Sequence, residues 1–175
     1  NEALDLLELP ERIVIIGGGY VAVEFAGIFN GLGVQVTEII RAPQILRGFD
    51  EDVRDVLAQE MEKKGITIRR ESVVRSIEKT ATGLSICFPY GDVIEVDQIM
   101  FATGRHPNTA GLGLEEAGVA LNGKDAIEVD DVSKTAVDTI YAIGDVTDRV
   151  NLTPVALAEG EAFVQTVFGG APSSV

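Results

Sequence analysis

The residues with the clearest chemical purpose are Gly17-Gly18-Gly19-Tyr20-Val21-Ala22, which fit the spacing G-x-G-x-x-A. A glycine in the first place permits a tight turn, one in the second lets backbone touch a pyrophosphate, and a small third residue lets a helix pack on a strand. The pattern carries meaning only between a strand and a helix, and it stands there. Arg12 to Ile16 is a short β-branched run, and apolar residues from Val21 to Leu32 recur up to Gly31 and Gly33. Dinucleotide binding is therefore the leading reading, with a merely tight strand-to-helix turn as the alternative. Arg41 and Arg47 follow the next strand, Val34 to Ile40. At that place an acidic residue selects NADH through the ribose hydroxyls, whereas arginines select NADPH through the 2′-phosphate. The two arginines favour NADPH. Glu38, inside the strand instead of at its lip, is the rival that would hold the ribose of NADH, and a solvated loop is the bland reading of the arginines.

These residues need a scaffold, and the remaining pattern supplies one. Strand, helix and strand within about 30 residues make a βαβ unit. Asp50 is placed to cap a polar helix running to Lys64, with Gly65 as its stop and Val53, Val56, Leu57 and Met61 as one buried stripe. From Ile66 to Val96 the period changes to alternation, with turns at Gly83 and Tyr90-Gly91-Asp92, which predicts an antiparallel meander. Asp97 to Thr103 returns to an apolar strand that stops at Gly104. Between Arg105 and Lys124, Pro107, Asn108 and four glycines mark a connection between domains. A strand at Thr139 to Ile143, a Gly144-Asp145 corner and a helix from about Thr153 to Phe168 complete the chain. The expected class is α/β, a Rossmann-like parallel sheet with an antiparallel β-meander.

Composition excludes several classes of function. The 175 residues carry 14 Lys and Arg against 28 Asp and Glu, a net charge of −14, so a basic phosphate-binding stripe for nucleic acid is not expected. No apolar run approaches the roughly 20 residues of a membrane helix, so no membrane partner is expected. One cysteine and one histidine cannot build a His/Cys metal site or an internal disulfide, and a reducing, cytoplasmic setting is expected. The chain opens on Asn1 and not Met, as expected of a piece of something longer.

Further motifs carry a resemblance. Ala102-Thr103-Gly104-Arg105-His106-Pro107-Asn108-Thr109, Ile140-Tyr141-Ala142-Ile143-Gly144-Asp145 and Leu152-Thr153-Pro154-Val155-Ala156 look like signatures of the flavoprotein disulfide reductases. With Arg41, Arg47-Gly48-Phe49-Asp50 and Asp145-Val146-Thr147-Asp148-Arg149 added, the whole chain most resembles the glutathione reductases. The resemblance implies an NADPH-binding domain over residues 1–105 and, over 106–175, the C-terminal segment of an FAD-binding domain, itself Rossmann-like. It implies that Gly17, Gly19 and Ala22 line the pyrophosphate and that Arg41 and Arg47 hold the 2′-phosphate. Tyr20 would be an aromatic lid over the flavin, and Glu24 would pair with a flavin-side lysine absent from these residues. Gly104 and Arg105 would border the cofactor, Asp145 would take the FAD ribityl chain, and Thr153 would approach the flavin's pyrimidine edge.

Simpler readings stand beside these. Tyr20 can cover a strand end, Asp145 can form a turn after glycine, His106 can be a solvated loop residue, and Cys87 an ordinary strand side chain. The family's FAD-binding glycine turn, C-x-x-x-x-C pair and His-Glu base are missing from these residues. The chain is thus expected to be an internal piece, inactive alone, of a homodimeric enzyme. That enzyme would pass hydride from NADPH to FAD, then electrons to a redox disulfide and to glutathione disulfide. An NADH-linked flavoprotein such as a dihydrolipoamide dehydrogenase, and a non-catalytic nucleotide-sensing module, are the alternatives.

Overall fold

The computed structural model describes residues 2–175, which form two compact units, one running through Gly104 and one from Arg105 to Val175. In the first unit, β1 (Arg12–Ile16), α1 (Tyr20–Gly31), β2 (Gln35–Ile39), α2 (Glu51–Lys63) and β3 (Thr67–Arg69) alternate as βαβαβ. Then come β4 (Ser76–Lys79), β5 (Leu84–Cys87), β6 (Val93–Val96) and β7 (Gln98–Phe101). The parallel sheet has the order β3-β2-β1-β7, and β4-β5-β6 form a separate antiparallel sheet. The Rossmann-like class with an antiparallel meander is as the sequence predicts.

β1 lies between β2 and β7, with Ile15 opposite both Glu38 and Met100. A parallel strand covered on both faces must be apolar on both, and Ile13, Val14 and Ile15 are all buried. Ile13, Ile15, Val36 and Ile40 pack with Ala22, Ala26 and Phe29 of α1 and with Ala58 and Met61 of α2. Val14 and Ile39 point the other way, toward Ile86, Phe88 and Val96 of the meander region. The side-chain period of two thus divides one strand between two cores.

Three expectations are corrected. Ile66 to Ile68 does not open the meander: β3 joins the parallel sheet beside β2, because α2 carries the chain through a second crossover before it. The buried stripe of α2 is also turned. Ala58 and Met61 are buried and Leu57 half-buried, while Val53 and Val56 are exposed. Arg54 takes the expected place of Val53, its Nε donating to the Ile45 carbonyl at 2.7 Å, so a snorkelling stem replaces a methyl contact. Finally, Thr139 to Ile143 is no strand. It makes one isolated antiparallel bridge, Lys134 to Tyr141, closed by the Ala142 N–H on the Ser133 carbonyl and the Thr135 N–H on the Ile140 carbonyl, while the Ile140 N–H turns locally to Val137. The cap of α2 is as expected: the Asp50 carboxylate accepts the Val53 N–H at 3.2 Å, and Gly65 follows at φ +93°.

The second unit has one long helix, α3 (Thr153–Val167), and a small core of Val119, Ile127 and Ala142 with Leu114, Val137 and Ile140 around it. Among the described residues no helix is long and apolar enough to cross a membrane. No group of three or more His, Cys, Asp or Glu among them is arranged to hold a metal ion.

Candidate nucleotide-binding site

The glycine turn closes on the carboxyl end of β1. Gly17 has φ +140°, donates its N–H to the Ile39 carbonyl at 3.0 Å, and sits so close to Ala102 that a Cβ would overlap the Ala102 carbonyl. Only glycine fits there, for reasons internal to the fold. Gly19 differs. It is the N-cap of α1 at φ −84°, and no atom lies within 4 Å of where its Cβ would stand. The N-cap makes no side-chain cap hydrogen bond, which leaves the first-turn N–H groups of α1 available to an anion. Ala22 is fully buried one turn on, the small residue that lets α1 approach the sheet. Tyr20 is about half exposed, and Glu24, exposed four residues later, shares its side of α1.

The loop from Arg41 to Asp50 lies beside this turn and is held at several points. Gln44 accepts the Ile45 N–H at 3.0 Å and donates to Asp55 of α2 at 2.7 Å. The Leu46 N–H donates to the carbonyl of Gly18 at 2.6 Å, which ties the loop to the glycine turn directly. Leu46 is buried, with φ 53°, and Gly48 follows at φ +95°. Arg41 and Arg47 are both exposed, and among the described residues neither guanidinium is paired with a carboxylate. The arrangement offers two free cations and a row of N–H groups on one side of the sheet's carboxyl end, where open α/β sheets bind ligands.

Glu38 is removed from this site. It is fully buried, and its parity with Val36 and Ile40 puts it on the face covered by α1 and α2. Neither carboxylate oxygen has a hydrogen-bond partner. Burial pushes its pKa from 4.5 up to about 7, against the opposing attraction of Arg70. Burial turns its carboxylate away from solvent, which weighs against its holding a ribose.

In the second unit, Arg105, His106, Pro107, Asn108, Asp145, Val146 and Asn151 line a concavity of about 140 Å³. Arg105 and Asp145 are thus brought together, while Thr153 stands exposed at the start of α3, beyond that lining. Gly104 closes the first unit at φ +131°. The Gly144-Asp145 corner is built with care. Gly144, at φ +72°, donates its N–H to Glu159 Oε2 at 2.6 Å, and its carbonyl accepts the Thr147 hydroxyl at 2.8 Å. Arg149 bridges the other Glu159 oxygen at 2.8 Å to Ser133 at 2.9 Å. Sequence reasoning missed Glu159, whose only signal was a carboxylate among the apolar residues of a helix.

The fold and the turn define an α/β protein of Rossmann-like class. The family model of the pyridine nucleotide-disulphide oxidoreductases matches residues 1–160, and the chain belongs to that family. It is 53% identical over 170 residues to a glutathione reductase of Burkholderia cepacia, covering 97% of this chain and 38% of that one. To the chloroplastic/mitochondrial glutathione reductase of Pisum sativum it is 51% identical, covering 99% and 32%. A trypanothione reductase of Trypanosoma congolense is 46% identical, with 98% and 36% covered. Among solved structures, the HOCl-induced flavoprotein disulfide reductase RclA from Escherichia coli superposes with a TM-score of 0.93 at 33% identity, over 98% of this chain and 39% of that chain. LpdA from Mycobacterium tuberculosis gives 0.89 at 30% identity, over 98% and 37%. The chain spans less than two fifths of the length of each of these relatives.

Proposed function

We propose that residues 1–105 bind NADPH and that residues 106–175 supply one side of an FAD site, within a disulfide reductase acting on glutathione disulfide. The observation that carries the reading is the uncapped start of α1 at Gly19, with Arg41 and Arg47 exposed and unpaired beside the same sheet end. The α1 N–H groups receive the pyrophosphate, and the two guanidiniums receive the 2′-phosphate through charge-assisted bonds worth roughly a few kcal/mol together. Burial of Glu38 weighs against NADH, since no other acidic residue stands in the last turn of the strand.

NADPH supplies a hydride to the flavin in such an enzyme. The chain's part is to bind, cover and orient. By the family resemblance Tyr20, on the first turn of α1, would act as an aromatic lid, and Glu24, on the same side of that helix, would pair with a lysine beyond these residues. In the second unit the concavity is smaller than the ~300 Å³ at which ligand pockets begin, so it holds a portion of a flavin nucleotide and not the whole. Arg105 would border that portion and Asp145 would accept from its polyol, while Gly104, at the end of the first unit, and Thr153, at the start of α3, are the further residues that the family resemblance assigns to the cofactor. Glutathione disulfide is favoured as substrate because the glutathione reductases are 53% and 51% identical, against 46% for the trypanothione reductase. The whole enzyme is read as a cytoplasmic homodimer.

Titration of the purified chain with NADPH and NADH tests the cofactor reading. NADPH should bind at least about tenfold more tightly, and neutral residues at Arg41 and Arg47 should remove that preference. Equal affinities in the unmodified chain would overturn it. The chain alone should show no turnover with NADPH, added FAD and glutathione disulfide, since its one thiol, Cys87, cannot cycle between dithiol and disulfide.

A further inference from the structure

We propose that Leu46 is a positioning residue for 2′-phosphate selection, fixing Arg47 against the glycine turn through its own strained backbone and buried side chain. The inference rests on the NADPH reading above and adds to it the element that makes Arg47 selective. Leu46 has φ 53°, a left-handed conformation that a residue with a Cβ adopts at a cost, and nothing in its side chain can hydrogen-bond locally to offset that. Asn or Gly would be the ordinary choice. What holds leucine there is visible on three sides. Its side chain is 7% exposed and belongs to the core shared by β1, α1 and α2. Its N–H is bound to the Gly18 carbonyl at 2.6 Å, and its carbonyl accepts the Phe49 N–H at 3.0 Å. The residue before it is also fixed, the Ile45 carbonyl accepting from Arg54 of α2.

Arg47 therefore leaves the chain from a point where both neighbours are left-handed, Leu46 at φ 53° and Gly48 at φ +95°. Its Cα direction is set by that pair, and one member is bonded to the glycine turn itself. A long, exposed side chain has many rotamers, so its contribution to binding depends on how well its root is placed. Strain of this kind at a binding loop persists where the surroundings enforce it, and here they do so with an apolar anchor and two backbone bonds.

The test is a cycle of binding measurements on the whole chain with NADPH and NADH, using the unmodified chain, Leu46→Gly, Arg47→Gln and the double variant. The unmodified chain checks the underlying reading: without an NADPH preference that reading fails, whatever Leu46 does. Given the preference, Leu46→Gly removes both strain and anchor and should weaken NADPH about five- to tenfold while leaving NADH within twofold. Arg47→Gln should then cost little more in the Leu46→Gly background, because its guanidinium is already misplaced. Leu46→Met, which keeps the apolar volume, should restore most of the NADPH-to-NADH ratio. If Leu46→Gly does not hold its fold by circular dichroism, Leu46→Val replaces it, since a β-branched residue keeps much of the burial but resists positive φ. Equal weakening of both nucleotides, or an undiminished effect of Arg47→Gln in the variant background, would reduce Leu46 to a core residue and overturn the proposal.

Discussion

Asp97 grips Arg12 twice: one carboxylate oxygen accepts the Arg12 backbone N–H at 2.8 Å and the other its guanidinium at 2.7 Å, while the Asp97 N–H donates to the Arg12 carbonyl at 3.1 Å. These residues begin the two strands whose far ends form the glycine turn and its support, so the clamp sets the register of β1 against β7. The hydrogen bond and charge of Arg12 hold the Asp97 carboxyl below its ordinary 3.8. Its folded pKa is lowered, so its contribution is present above 3.8 and is lost as pH falls through the lower folded value. Asp97→Asn should therefore melt earlier than the unmodified chain at neutral pH, and the gap should close on acidification below that range. A gap independent of pH in thermal unfolding would remove the charge from this account.

Two glycines two residues apart should respond oppositely. Gly17→Ala places a methyl on the Ala102 carbonyl at a positive φ and should destabilise the first unit by about 2–4 kcal/mol in denaturant unfolding. Gly19→Ala meets no atom and keeps an ordinary φ, so stability should change by less than about 0.5 kcal/mol. The same methyl stands where phosphate would approach, and NADPH binding should fall at least about tenfold. Loss of binding at Gly17 alone would place the pyrophosphate elsewhere.

Glu38 should give the chain an unusual pH dependence. With a folded pKa of about 7 against 4.5, it is protonated in the fold below neutrality and must ionise, buried and unpartnered, above it. A raised acid binds more protons folded than unfolded, so its effect is a fall in stability from about pH 4.5 to pH 7, level beyond. Glu38→Gln should exceed the unmodified chain by roughly 3 kcal/mol at pH 8 relative to pH 4. Parallel stability curves for the two proteins would show that Glu38 finds a partner in solution.

Removal of Glu159 should loosen the second unit. Glu159→Ala leaves the Gly144 N–H without its acceptor and the Arg149 guanidinium with only the Ser133 hydroxyl, and should cost about 3–5 kcal/mol of local stability, read as faster hydrogen exchange at the Gly144 amide. Glu159→Gln keeps an oxygen at that N–H and should recover part of the protection. Unchanged exchange in Glu159→Ala would mean that Thr147 alone holds the corner.

Much of this was legible in the residues, and the misses share a cause. The β1 turn, the Asp50 cap and the Gly65 stop are local devices in which residue type and conformation are directly linked, and they stand where the spacing puts them. Membership of β3 in the parallel sheet is not local: Thr67 to Arg69 alternates either way, and only its neighbour across the sheet decides. Arg54 reads as a surface cation because its stem and head obey different rules. Leu46 gave no signal, since a positive φ at leucine is a tertiary result against local preference. Glu38 could be read as too deep in its strand for a ribose, but not as a bare buried acid.

The place of β7 beside β1 also bears on how the chain acquires its shape during synthesis. Ile13 must find Gln98 across an intervening stretch that contains both α-helices and the five other strands of that unit. The meander hairpins close over short spans and can form while the polypeptide is still emerging, whereas the middle strand keeps one ladder edge bare until residue 101 has left the ribosome. The strand that ends in the glycine turn thus gains β2 soon after it is made but completes its pairing only with β7, and nascent chains stopped before Gln98 should be the ones that chaperones hold.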